Sequence, residues 1–117
     1  MTLASKAAIF AAQDWDCKEI DVPSWGRIKI RSLSAQERLD LAKQFSGNRL
    51  TNEEACNFFC RLIAMAVVDE DGRQVFDLEG DIQALSTRNW ARLKTVADEI
   101  MSFNGMNESE SKTIEKN

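Results

Sequence analysis

The stretch EIDVPSWGRIKIRSLSAQERLDL, Glu19 to Leu41, decides the fold. Two short runs flank Pro23-Ser24-Trp25-Gly26, and the second feeds into a helix signal. Ile20, Val22, Ile28 and Ile30 take the even positions, while Glu19, Asp21, Arg27, Lys29 and Arg31 take the odd ones. Side chains alternate faces along a strand, so each run carries one apolar and one charged face. A hairpin sets apolar against apolar, and only an odd loop length pairs even residues with even ones. A loop of Pro23 to Arg27 sets Val22 opposite Ile28 and Ile20 opposite Ile30. It also sets Asp21 opposite Lys29 and Glu19 opposite Arg31, as favourable cross-strand charge pairs. Ser34, with Glu37 three residues on, forms a capping box that opens the next helix.

Beyond this stretch the chain reads as helices joined by turns. Leu39, Ala42 and Phe45 recur at steps of three, Leu41 adds an i,i+4 neighbour to Phe45, and Gly47-Asn48 supplies the stop. Thr51 and Glu54 make a second capping box, with Leu50 and Ala55 as a weak staple. From Ala55 to Val68 apolar residues wrap most of the way round, which predicts the central core helix, with Arg61 reaching the rim. Asp69-Glu70-Asp71-Gly72 reads as a solvated turn. It fails the calcium-loop pattern, because Gly80 stands where the closing Glu is needed. Gln74-Val75-Phe76 is a candidate third strand, and Asp77 a cap for a helical turn through Ile82 and Leu85. The last long helix is predicted to open at Ser86, with Leu85 and Trp90 as its staple. Trp90, Leu93, Ala97 and Ile100 define its core face, Val96 and Phe103 widen it, and Asn104-Gly105 ends it. A short amphipathic helix through Leu3, Ala7, Phe10 and Ala11 is expected near the start.

Together these signals predict an α+β fold, a small antiparallel hairpin with or without a third strand, packed against three to four helices. Residues 1–105 make one globular domain, and 106–117 a polar, flexible tail.

Composition narrows the function. The chain has 117 residues, 44% of them hydrophobic and 29% charged, which suits a soluble domain with a real core. The net charge of -4 argues against a general nucleic-acid binder. Histidine is absent, which removes the commonest general base and zinc-ligating nitrogen. No nucleophile–base set, glycine-rich phosphate loop or paired catalytic carboxylates can be picked out, so no catalytic residue, metal site or cofactor is expected. Cys17, Cys56 and Cys60 form no C-x-x-C and read as small hydrophobes in a reducing compartment. The apolar run Ala7 to Ala12 is too short for a signal peptide or a membrane span.

Three segments carry a resemblance. They are the VP-x-WG turn with its basic–apolar strand and L-S-x-x-E-R; RLIAMAVVDEDGRQVFD, Arg61 to Asp77; and LKTVADEIMSFNGMNES, Leu93 to Ser109. In that order, across roughly Asp21 to Glu110, they resemble the tail assembly chaperone family of long-tailed bacteriophages. The first 15 or so residues and the tail after Glu110 depart from the pattern. The resemblance implies binding without catalysis. Such a protein coats the tape measure protein, keeps it soluble in the host bacterial cytoplasm, and leaves before the virion is complete. It also implies that a longer, frameshifted product recruits tail tube subunits, and the ending Ile114-Glu115-Lys116-Asn117 can be encoded by an adenine-rich, slippery message. The alternatives are a structural tail or head-tail completion protein retained in the particle, and a small nucleic-acid-binding regulator.

Candidate partner-binding residues come from the composition of interface hot spots. Trp25, Arg27, Lys29 and Arg31 fall on one strand face, where tryptophan beside arginine suits a protein partner or a stacked single strand of nucleic acid. A solvated face paired with Glu19 and Asp21 explains the same residues, and Trp25 can equally fold back over the hairpin's apolar edge. Trp90, Phe103 and Met106 complete the candidate contacts, through which weak self-association is expected.

Overall fold

The structure, a computed structural model, describes residues 3–45 and 50–106. It has a three-stranded antiparallel sheet and five helices among the described residues, the α+β arrangement expected. In chain order these are α1 (Lys6–Ala11), β1 (Cys17–Val22), β2 (Gly26–Arg31), α2 (Ala35–Gln44), α3 (Asn52–Ala66), β3 (Val67–Val68), α4 (Ile82–Leu85) and α5 (Trp90–Phe103). The strand order is β1-β2-β3.

The hairpin has the expected parity but a register two residues tighter. Ile20 pairs with Ile28, Val22 with Gly26, Asp21 with Arg27, and Glu19 with Lys29. The cause lies in the turn. Trp25 N–H donates to the Val22 carbonyl at 3.1 Å, with Pro23 leading the turn and Ser24 at φ 72°. Gly26, at φ 98°, then adopts a conformation open to glycine and re-enters the ladder at once. Because the slip is even, no side chain changes face. Ile30 and Val22 are buried, and opposite charges still face each other across the strands.

The core helix ends sooner than its apolar run. Val67 and Val68 leave α3 and pair with Ile30 and Lys29, so the third strand lies here and not at Gln74–Phe76. Both are β-branched, which suits a pleated surface better than a helix. Gln74 contributes one bridge back to Val68 across the Asp69–Gly72 turn. That turn is closed internally: Asp69 Oδ1 accepts from the N–H groups of Asp71 and Arg73, at 2.9 and 3.0 Å.

Both capping boxes are present, Ser34 with Glu37 and Thr51 with Glu54. On α2 the buried residue is Leu41, while Leu39 is exposed. The core therefore takes the Leu41–Phe45 line and leaves Leu39 outside. The Gly47-Asn48 stop and the tail beyond Met106 lie outside the described residues.

α5 starts later than Ser86. Ser86 closes α4, and Asn89 caps α5 by accepting from Arg92 N–H. Leu93, Val96, Ala97 and Ile100 are buried against α3, the i, i+3, i+4, i+7 stripe of an amphipathic helix. Trp90 continues this periodicity at the first residue of the helix but is 46% exposed, against the expectation that it starts the core face. Gly105 at φ 66° ends the helix, with Met106 N–H bonded to the Met101 carbonyl and Gly105 N–H to that of Ser102. This double bond pattern is a Schellman stop. α5 is tied at its start to the hairpin turn, where Arg92 Nε donates to the Pro23 carbonyl, and at its end to the β2–α2 connector, where Leu33 N–H donates to Asn104 Oδ1.

Candidate partner-binding surface

The seven residues singled out for binding do not form one site. Trp25 is half-buried and packs against the core, covering the hairpin edge. Arg27 is exposed and paired with Asp21 at 3.1 Å. Lys29 lies half-buried between Glu19 on β1 and Val68 on β3. Arg31 is withdrawn from the strip. Its guanidinium makes a forked pair with both oxygens of Glu37, at 2.8 and 2.6 Å, and a third bond to the Ser32 carbonyl. Phe103 and Met106 are half-buried against the core, near the far end of α5 from Trp90. Thirteen residues at about 1.5 Å per residue set Trp90 and Phe103 roughly 20 Å apart along α5. Trp90 stacks edge-on against Phe59, with ring centroids 5.5 Å apart, and offers its other side to solvent.

What the sheet does assemble is a shallow open groove of about 580 Å³ beside β2. Trp25, Ile28, Val67, Val75 and Phe76 give it an apolar floor and walls. Arg27, Lys29, Glu19, Asp69 and Glu70 add charged groups of both signs to its lining. Sequence alone marks Val75 and Phe76 as strand candidates and not as contact residues. They reach the groove because Val75 N–H bonds to the Val67 carbonyl, a pairing across the turn that no local spacing announces. A second apolar surface lies on the N-terminal arm. Leu3, Ile9 and Phe10 are 93%, 57% and 77% exposed, and no residue of α1 is buried.

The electrostatics separate structural from available charge. The Arg31 guanidinium holds the Glu37 carboxyl below the ordinary carboxylate range, opposed by partial burial and helped by the Ser34 amide. The same fork raises the Arg31 pKa. A carboxylate whose folded pKa is depressed contributes stability above its unfolded pKa and loses it as pH falls through the folded value. Urea unfolding of Glu37→Gln, which keeps a capping side chain, therefore checks the pair. We expect the variant to be less stable than the parent near pH 7 and the gap to narrow as the pH falls below the ordinary carboxylate range and through the lowered folded pKa. A gap that stays constant as the pH falls would assign the loss to something other than the ion pair. Partial solvent access limits its size.

Cys60 is fully buried, and burial, then the neighbouring Cys56, pushes its thiol up to about 12. A thiol so far from ionisation is a packing group. Among the described residues, no cluster of three or more Cys, Asp or Glu is arranged to hold a metal ion. No described helix is long and apolar enough to cross a membrane.

No protein-family model matches this chain, and no curated protein or solved structure is significantly similar to it.

Proposed function

We propose that this protein is a tail assembly chaperone of a long-tailed bacteriophage, which binds the tape measure protein, keeps it soluble, and helps bring tail tube subunits to the growing tail. The observation that carries this reading is the ordered set of three segments: the VP-x-WG hairpin with its capped helix, the V-DEDG turn after the long helix, and the final helix closing on Asn104-Gly105. Two features support it. The three segments coincide with the hairpin–α2 unit, the α3–turn unit and α5, which together build the framework. The surface also carries apolar side chains suited to holding an apolar partner, namely Leu3, Phe10, Val75 and Trp90. The ion pairs of Arg27 and Arg31 weigh against a nucleic-acid role, since they leave Lys29 as the one basic residue of the strip without an ion pair among the described residues.

Co-expression tests the proposal. The tape measure protein encoded beside this gene is expected to stay soluble with this chain and to precipitate without it. Equal precipitation in both cases would overturn the reading.

A further inference from the structure

We propose that the outer edge of β1 is a docking site for an extended polypeptide segment carrying basic side chains at alternate positions, which adds to the sheet as a fourth strand. This stands independently of the chaperone reading. In an antiparallel ladder, residues bonded to the neighbour alternate with residues whose N–H and C=O point away from it. Ser32 N–H donates to the Asp16 carbonyl at 2.8 Å, which sets the alternation for β1. Lys18, Ile20 and Val22 therefore bond inward to β2, while Cys17, Glu19 and Asp21 aim their backbone groups outward. β1 is an edge strand, and among the described residues no backbone or side-chain group bonds to these outward groups. Such a row of free donors and acceptors is a template for strand addition.

Charge decides the occupant. Glu19 and Asp21 share the outer face of β1 and are both exposed. A second copy of the same edge is disfavoured: the two longest two-fold registers set Glu19 against Glu19, or Glu19 against Asp21. Like charges directly opposite destabilise a strand pair. A strand with basic residues at alternate positions instead repeats outside what β2 does inside, where Arg27 faces Asp21 and Lys29 faces Glu19. Its intervening residues would lie beside half-buried Ile20, so apolar residues there complete that side chain's cover.

The probe follows from β2 itself. A blocked synthetic peptide of sequence GRIKIRS, copying residues 26–32, is titrated into the isotope-labelled full chain and followed by NMR. We expect the amides of Cys17, Glu19 and Asp21 to shift and to slow their exchange with solvent. A peptide with Glu in place of Arg and Lys should bind at least roughly tenfold more weakly. Glu19→Pro removes one outward N–H while sparing the β2 ladder, and should weaken binding by a similar factor. A peptide N-methylated at alternate amides gives the same readout on the unaltered protein. Shifts absent from these amides at millimolar peptide, equal binding of the acidic or N-methylated peptide, or amides already protected in the free chain by residues 107–117 would each overturn the proposal.

Discussion

Leu62→Ala is expected to cost about 2–5 kcal/mol of folding stability, the usual range for truncating a buried leucine. Leu62 sits on α3 with 0% exposure, among buried Cys60 and Ile63, in the helix that packs against α5 and α4. The loss has two parts, the transfer free energy of the missing carbons and the cavity that rigid neighbours cannot fill. Phe59→Ala on the same helix should cost less than Leu62→Ala, although its side chain is larger. Phe59 is half-buried, with one face against Trp90, so truncation opens a surface notch where Leu62→Ala opens an enclosed void. Leu39→Ala on α2 should stay within about 0.5 kcal/mol, since Leu39 is exposed. Urea unfolding of the three variants checks the order. A change below about 1 kcal/mol for Leu62→Ala would contradict the packing described.

The second large effect belongs to Gly72, at the Asp69–Gly72 turn. Its φ of 83° is strained for any side chain, and an added Cβ would clash with the Trp15 ring. We expect Gly72→Ala to destabilise by about 1–3 kcal/mol, combining the left-handed backbone cost with the displacement of Trp15. A double-mutant cycle separates the two. With Trp15→Ala already in place, Gly72→Ala should lose the clash and keep only the backbone cost, so the two changes should be non-additive. Strict additivity would show that Trp15 does not rest on this turn. The contact lets the segment before β1 pack on a loop more than fifty residues later in the chain.

These two sites mark what could and could not be read from the residues. Parity of the apolar positions was enough to settle the faces of the hairpin, because a strand's period is two and an even slip preserves it. The tighter register depended on Ser24 and Gly26 adopting positive φ, which spacing does not reveal. Capping boxes at Ser34 and Thr51 were legible because each satisfies its backbone groups within four residues. The start of α5 was not, because Ser86, Thr87 and Asn89 are all cap-forming residues, and the Ser86 and Thr87 hydroxyls instead donate to the Gln83 and Ala84 carbonyls of α4. Val67 and Val68 fit a helical apolar run as well as a strand until Ile30 and Lys29 offered a ladder. The binding surface was the least legible. Parity alone sets Arg31 opposite Glu19, but the tighter register gives Glu19 to Lys29 and leaves Arg31 to Glu37 of α2, and the groove depends on the pairing of Val75 with Val67 across the turn.

Trp90 packs edge to face with Phe59. It is the partly exposed end of an aromatic row through Phe45, Phe58 and Phe59. Such a row gives an exposed ring a fixed orientation, as a contact anchor requires.

The most direct measurement for the proposed function follows the protein through tail assembly by quantitative mass spectrometry of affinity-purified intermediates and finished particles. The chaperone account predicts this chain in complexes with the tape measure protein during assembly, and its absence from finished tails. Its retention in finished particles at stoichiometric amounts, or its failure to co-purify with the tape measure protein at any stage, would contradict it.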